Sequence, residues 1–192
     1  MERPADVYSI LEKIAESVPP GARGLLYTPW IFGERSPVDD HNLRAGLLNM
    51  SLQHSRVDVI RAVLEGVALN TRWMVMPFNR FLGKPLEQIT MVGGGATSDV
   101  WCQIFADILG IPVLQVDSPI QANAVGAAFI GCVGIGALSY DDIPSLTKIR
   151  HTYLPDSGKK AIYDKLFETF KLAYRRLAPL YRRINSPRKV QS

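Results

Sequence analysis

Hydrophobic positions in this chain recur with two periods, one suited to strands and one to helices. Short apolar runs at 25–27, 89–92 and 113–116 read as strands, and 47–50 as a further extended piece. Elsewhere apolar residues return every three or four positions. Residues 7–17 put Ile10, Leu11 and Ile14 on one helical face, and Pro19-Pro20-Gly21 ends it. The longest helical pattern covers 55–82, with apolar residues at 57, 60, 64, 67, 68, 75, 78 and 82 once Thr71 is admitted to the stripe. Ser55 and Asp58 have capping-box spacing, and Gly83 supplies a C-terminal stop. Pro77 is expected to kink or split this helix, because it removes a donor and crowds the turn before it. Helices are also expected over 98–109, 121–136 and 159–184.

Alternation of strands and helices after residue 89 predicts an α/β fold in which short parallel strands are packed with helices. One domain spanning 1–185 is expected, followed by a flexible tail at 186–192. No internal repeat or low-complexity segment interrupts it.

Charge adds one asymmetry. The 192 residues carry 22 basic and 18 acidic side chains, a net +4. From Lys159 onward there are ten Lys/Arg against Asp164 and Glu168, so residues 1–158 are net acidic. No nucleic-acid-binding motif accompanies this basic end. Ile162, Leu166, Phe170, Ala173, Leu177 and Leu180 recur at helical spacing, so the charges read as one solvated helix face. Neither a nucleic acid nor a membrane is expected as partner.

The longest uncharged stretch is 118–140, and its strongly apolar part, 124–138, is fifteen residues with four glycines. A spanning helix needs about twenty apolar residues. A buried, closely packed helix is expected instead, in a cytoplasmic protein. Glu2, Arg3, Pro4 and Asp6 break any signal-peptide core. Cys102 and Cys132 lack C-x-x-C spacing and read as buried, reduced thiols. His41, His54 and His151 lack metal-ligand spacing.

The candidate chemistry centres on Ile89-Thr90-Met91-Val92-Gly93-Gly94-Gly95-Ala96-Thr97-Ser98-Asp99. It reads as strand, glycine turn and helix. Glycines admit a ligand close to the main chain, and the helix start offers unpaired N–H groups with a partial positive charge. Ser98 or Asp99 is the expected helix cap. The spacing is neither that of a dinucleotide fingerprint, since Ser98 stands where the third glycine belongs, nor that of a P-loop. Taken alone, it equally suits a tight connection without a ligand.

Further motifs surround this loop. Gly21-Ala22-Arg23-Gly24-Leu25-Leu26-Tyr27-Thr28-Pro29-Trp30 leads into Gly33-Glu34-Arg35-Ser36-Pro37. Arg61-Ala62-Val63-Leu64-Glu65-Gly66-Val67-Ala68 follows, and Ala124-Val125-Gly126-Ala127-Ala128 lies beyond the loop. This ordered set resembles the C-terminal half of the FGGY family of carbohydrate kinases, most of all its xylulokinase-like members, over residues 8–183. The resemblance implies a partial ribonuclease-H-like domain of the actin/hexokinase-like ATPase fold. It implies an ATP-dependent kinase, using Mg²⁺, that phosphorylates a ketose such as xylulose.

The same resemblance puts Gly93, Gly94, Gly95, Ala96, Ser98 and Asp99 at the adenosine of ATP. Asp99 falls where some relatives carry an adenine-bonding Asn; a helix cap alone is the competing role. The resemblance further implies that the catalytic Asp, most of the sugar site and the opening strands of the second domain lie outside these 192 residues. The chain by itself is then expected to be inactive. Many relatives have Glu where Gln121 stands, and the small residues at 124, 126, 127 and 128 are expected to permit tight helix–sheet packing.

Other charged groups carry no assigned chemistry. Arg61 and Glu65 are four residues apart and are expected to pair on an exposed face, at a few tenths of a kcal/mol. Glu34–Arg35 and Asp39–Asp40 read as loop charges. No credible base, Mg²⁺ site or phosphate clamp is found. The alternative to a kinase portion is a non-catalytic module that associates with a partner half or with itself, and a dimer or an aggregation-prone chain is then expected.

Overall fold

The computed structural model describes residues 7–185, so the expected flexible tail at 186–192 lies outside the described residues. Leu26–Thr28 (β1) and Gly46–Leu48 (β2) form a two-stranded antiparallel ribbon, with Leu26 opposite Leu48. The second sheet contains Ile89–Met91 (β3), Val113–Val116 (β4) and Ile149–Tyr153 (β5), in the order β3-β4-β5. β3 and β4 are parallel, with Ile89 beside Val113. β5 lies antiparallel to β4, so the parallel expectation holds for the β3–β4 pair alone. Hydrophobic periodicity does not mark β5, because only Tyr153 of its five residues is buried.

Among the described residues six α-helices surround these strands: Val7–Glu16 (α1), Arg56–Leu82 (α2), Asp99–Leu109 (α3), Ala122–Gly134 (α4), the short Ile143–Leu146 (α5) and Lys160–Asn185 (α6). Ser55 and Asp58 close the expected capping box on α2. The Ser55 amide donates to Asp58 Oδ2 over 2.8 Å, and Gly83 ends the helix at φ 71°. α2 continues unbroken through Pro77, so the expected split does not occur. Only one intrahelical bond is forfeited by a proline there, and the residues around it are solvated, where water can take up the freed carbonyl.

The inward face of α2 is not the apolar stripe alone. Leu64 and Val67 pack against the main core, but the fully buried positions include Asp58, Arg61, Glu65 and Gly66. The expected exposed Arg61–Glu65 pair is therefore corrected: their side chains are only 7% and 1% exposed. Arg61 Nε donates to Glu65 Oε1 over 2.7 Å. Its terminal nitrogens reach the Tyr163 hydroxyl at 2.8 Å and the Ala15 carbonyl at 3.2 Å. The Tyr163 hydroxyl donates to Glu65 Oε1 over 2.9 Å, and the Gly21 amide adds a third donor at 3.0 Å. α2 is enclosed on more than one side, which is why one face carries the apolar contacts and another an ion pair.

α6 closes the core. Its buried residues are Tyr163, Phe167, Phe170 and Ala178, whereas Ile162 and Leu180 of the expected stripe are exposed. The inward register is set by aromatics. Fully buried Trp30 meets Phe170 and Tyr174 edge-on at 5.4 and 5.9 Å between ring centroids. Asp40 is not a free loop charge: it is buried and takes two bonds from the Arg182 guanidinium, at 3.0 and 2.8 Å. Glu34 Oε2 likewise accepts from Asn70 over 2.7 Å.

One larger correction concerns α4. Its sequence is apolar all round, which predicts burial, yet none of its residues is buried. A Cβ built on Gly126, Gly131 or Gly134 would meet nothing within 4 Å, so the expected tight packing of these small residues is not made within the described chain. Cys102 is buried in α3 and Cys132 half-buried in α4. No helix among the described residues is long and apolar enough to cross a membrane.

Candidate functional site

Strand β3 delivers the chain into the glycine loop at Gly93, whose φ of 82° with an extended ψ is open to glycine and strained for other residues. The Gly93 amide donates to the Pro119 carbonyl over 2.7 Å, tying the loop to the connection between β4 and α4. Residues Gly94–Thr97 then form one 3₁₀ turn before α3. Open space lies above Gly93 and Gly94, where an added Cβ would meet nothing. At Gly95 it would meet the Trp101 ring at 2.8 Å. The first two glycines thus leave the backbone accessible, and the third makes room for a tryptophan.

The structure gathers Gly93, Gly94, Gly95, Ala96, Ser98 and Asp99 in one turn, with different parts to play. Ala96 is wholly buried, so it presents nothing to a ligand over the loop. Ser98 is the α3 cap, its Oγ accepting from the Trp101 amide at 3.1 Å. Asp99 is not the cap; it stands one residue inside the helix, held by residues distant in sequence. Its Oδ1 accepts from the Tyr153 hydroxyl over 2.8 Å and from Gln115 Nε2 over 3.1 Å. Gln115 Nε2 also reaches the Ala96 carbonyl at 2.7 Å. Oδ2 has Arg150 at 3.9 Å, and the Asp99 side chain is 58% exposed. Partial burial works to raise the Asp99 pKa, but the bonds from Tyr153 and Gln115 and the nearby Arg150 charge outweigh it and hold the carboxyl below its usual range.

This arrangement has a definite chemical bias. A helix start alone suits an anion, but Asp99 already places a carboxylate there. One of its oxygens is occupied and the other is free to accept. That oxygen can accept from a group bearing N–H or O–H donors, with the Arg150 guanidinium 3.9 Å away from it.

Sequence reasoning missed Gln115, Tyr153 and Trp101. Gln115 left a signal: one amide inside the apolar run Val113-Leu114-Gln115-Val116, which when fully buried must find partners. Trp101 donates to the Leu64 carbonyl at 3.1 Å and so braces the loop against α2. Among the described residues there is no group of three or more His, Cys, Asp or Glu side chains suited to hold a metal ion.

Residues 1–135 match the C-terminal domain of the FGGY family of carbohydrate kinases. A gluconokinase from Bacillus licheniformis is 33% identical over 97% of this chain and 37% of its own length. The xylulose kinase of Bacillus subtilis is 32% identical over 97% of this chain and 37% of its own. The crystal structure of xylulose kinase from Rhodospirillum rubrum superposes with a TM-score of 0.79 at 33% identity, covering 94% of this chain and 36% of that one. The α/β layers are thus those of the actin/hexokinase-like ATPase fold, and the chain spans little more than a third of the relatives it matches.

Proposed function

Because this chain belongs to the FGGY family of carbohydrate kinases, we propose that it supplies the adenosine-binding part of an ATP-dependent cytoplasmic kinase acting on a ketose such as xylulose. The observation that carries this reading is the glycine loop with Asp99 beside it. Two glycines leave the backbone open, and one carboxylate oxygen is fixed while the other remains available. These features fit the donor-bearing edge of an adenine or the hydroxyls of its ribose.

ATP supplies the transferable phosphoryl group. Gly93, Gly94 and Asp99 would hold the nucleoside end, and the Gln115–Tyr153 pair would keep Asp99 oriented. Mg²⁺ enters this reading through the family alone, since no suitable cluster of side chains stands among the described residues. The sugar also remains a matter of family, because the two relatives named above are a gluconokinase and a xylulose kinase.

A fluorescent ATP analogue titrated into the folded chain tests the reading, with MgATP as competitor. Saturable binding lost on Asp99→Ala is expected; folded protein that binds no nucleotide overturns it. The same preparation is expected to show no MgATP-dependent phosphorylation of D-xylulose or of a small sugar panel. Turnover by the chain alone would place a base and a phosphate site within it.

The second reading is a non-catalytic module that joins a partner half or itself. The unburied apolar α4 favours it. It is compatible with nucleotide binding, and differs in requiring association.

A further inference from the structure

Strand β5 is irregular where it passes the glycine loop. Gln115 of β4 lies opposite His151, but the next residue, Val116, lies opposite Ile149. Arg150 is therefore an extra residue with no partner across the ladder. Such a bulge bends its strand and re-aims the side chain it carries. Gln115 and Tyr153 share the sheet face that meets Asp99, and the His151 ring stands 4.5 Å from that of Tyr153. Strict alternation would put Arg150 on the opposite face. With the bulge, its guanidinium instead comes within 3.9 Å of Asp99 Oδ2.

At that distance the two groups attract each other but do not hydrogen-bond. Among the described residues neither Asp99 Oδ2 nor the Arg150 side chain has a hydrogen-bond partner, and the Arg150 side chain is 52% exposed. Tyr153 and Gln115 hold the other carboxylate oxygen, so Oδ2 keeps its place. One turn thus offers a fixed acceptor and a donor side by side, next to the open backbone of Gly93 and Gly94. A guanidinium by itself also suits a phosphate, but the neighbouring carboxylate would repel one.

Purine bases differ at such a pair of atoms. On one edge adenine carries the N6 amine, a donor, and N7, an acceptor; guanine carries two acceptors there, O6 and N7. An amide side chain reads adenine at this edge, its oxygen taking N6 and its nitrogen giving to N7. A carboxylate has no donor to give, so Asp99 alone can take only the amine.

We infer that Arg150 is a specificity-determining residue of the nucleotide site, donating to N7 of adenine while Asp99 Oδ2 accepts from N6. Two side chains, one from the β5 bulge and one from α3, then do together what a single amide could do. Arg150 also offsets the negative charge that Asp99 would otherwise turn toward the lone pair of N7. The inference deepens the reading of the loop as an adenosine site, and rests on it.

The test uses residues 1–192, with ATP, 7-deaza-ATP and GTP titrated as competitors of the fluorescent ATP analogue. 7-Deaza-ATP keeps the amine, ribose and phosphates but has C–H in place of N7. It should bind about tenfold more weakly than ATP, and GTP should bind more weakly than ATP as well. Arg150→Met keeps most of the side-chain stem at a solvated position and removes the donors. In that variant ATP should fall to the affinity of 7-deaza-ATP, so that the two no longer differ. A residue that merely supported the fold would weaken both alike and leave their ratio unchanged. Equal affinity for ATP and 7-deaza-ATP in the parent chain, GTP binding as tight as ATP, or a ratio that survives Arg150→Met overturns the inference and leaves the adenosine reading standing. Absence of saturable nucleotide binding overturns both.

Discussion

The Tyr153 hydroxyl and the Asp99 carboxylate meet at 2.8 Å, across 54 residues of sequence, at the start of α3. Tyr153 also lies 3.2 Å from Gln115 Oε1. Burial, and then the Asp99 carboxylate, push the Tyr153 pKa far above that of a free phenol, so the hydroxyl remains a donor. Tyr153→Phe should cost about 1–2 kcal/mol in urea denaturation. It should also weaken nucleotide binding by freeing Asp99 to rotate. An unchanged dissociation constant for the ATP analogue would remove Tyr153 from the site.

The pH dependence follows from the same carboxylate. Asp99 has a lowered pKa in the folded state, so its contribution is present above the unfolded value near 4 and fades as pH falls through the folded value. Asp40 behaves alike: burial opposes ionisation, but the Arg182 bonds prevail and lower its pKa. Thermal midpoints should therefore fall as the pH drops below about 4. The fall should be shallower in Tyr153→Phe and in Arg182→Met. Parallel acid profiles for all three proteins would contradict this.

Glu65 is a buried charge, 1% exposed. Its Oε1 takes three donors, while Oε2 is buried with no partner. Glu65→Ala would strand the Arg61 cation and should cost about 3–5 kcal/mol. The double substitution Arg61→Met with Glu65→Leu should cost less than Glu65→Ala alone. Chemical denaturation of the set gives the coupling directly.

Two helical glycines should respond to alanine with opposite signs. At Gly66 an added Cβ would run into the Tyr27 carbonyl oxygen, so Gly66→Ala should destabilise by about 1–3 kcal/mol through overpacking. At Gly131 it would meet nothing, and Gly131→Ala should stabilise the isolated chain by up to about 1 kcal/mol from helix propensity alone. Melting temperatures decide both.

The glycine loop permits a similar separation. Gly95→Ala must displace Trp101 and should lower the melting temperature. Gly94→Val enters open space and should leave folding nearly unchanged, while weakening the ATP analogue about tenfold or more if the nucleoside lies over the loop. Equal affinity in Gly94→Val and the parent chain would assign the glycines to the turn alone.

Local rules carried much of this structure. The capping box at Ser55, the stop at Gly83 and the run from β3 through β4 were legible because each depends on neighbours within a few residues. The candidate loop was legible for the same reason, and its family by the order of several motifs. What escaped was decided by distant partners. Arg61 and Glu65 have the spacing of a solvated pair, and only Tyr163 and the turn at Gly21 enclose them. The inward face of α6 was read in part: Leu166, Phe170 and Ala173 meet the core as expected, while Ile162 and Leu180 are exposed and Tyr163 and Phe167 take buried places. Asp99 was assigned between cap and ligand contact, but Ser98 took the cap, and Gln115 and Tyr153 hold Asp99 from two other strands. α4 reversed expectation because apolar sequence specifies a need for cover and says nothing of where the cover comes from.

The clasp between α6 and the first half of the chain has a consequence for biosynthesis. Trp30 packs against Phe170 and Tyr174, Glu65 waits for Tyr163, and Asp40 is joined to Arg182 across 142 residues. A ribosome-bound chain therefore holds a buried-to-be tryptophan and an unsheltered ion pair until α6 has been synthesised. Contacts of such long range slow folding. The nascent polypeptide is thus a substrate for chaperones and proteases until α6 has emerged, and a chain that stopped short of α6 would leave Trp30 and the Arg61–Glu65 pair uncovered.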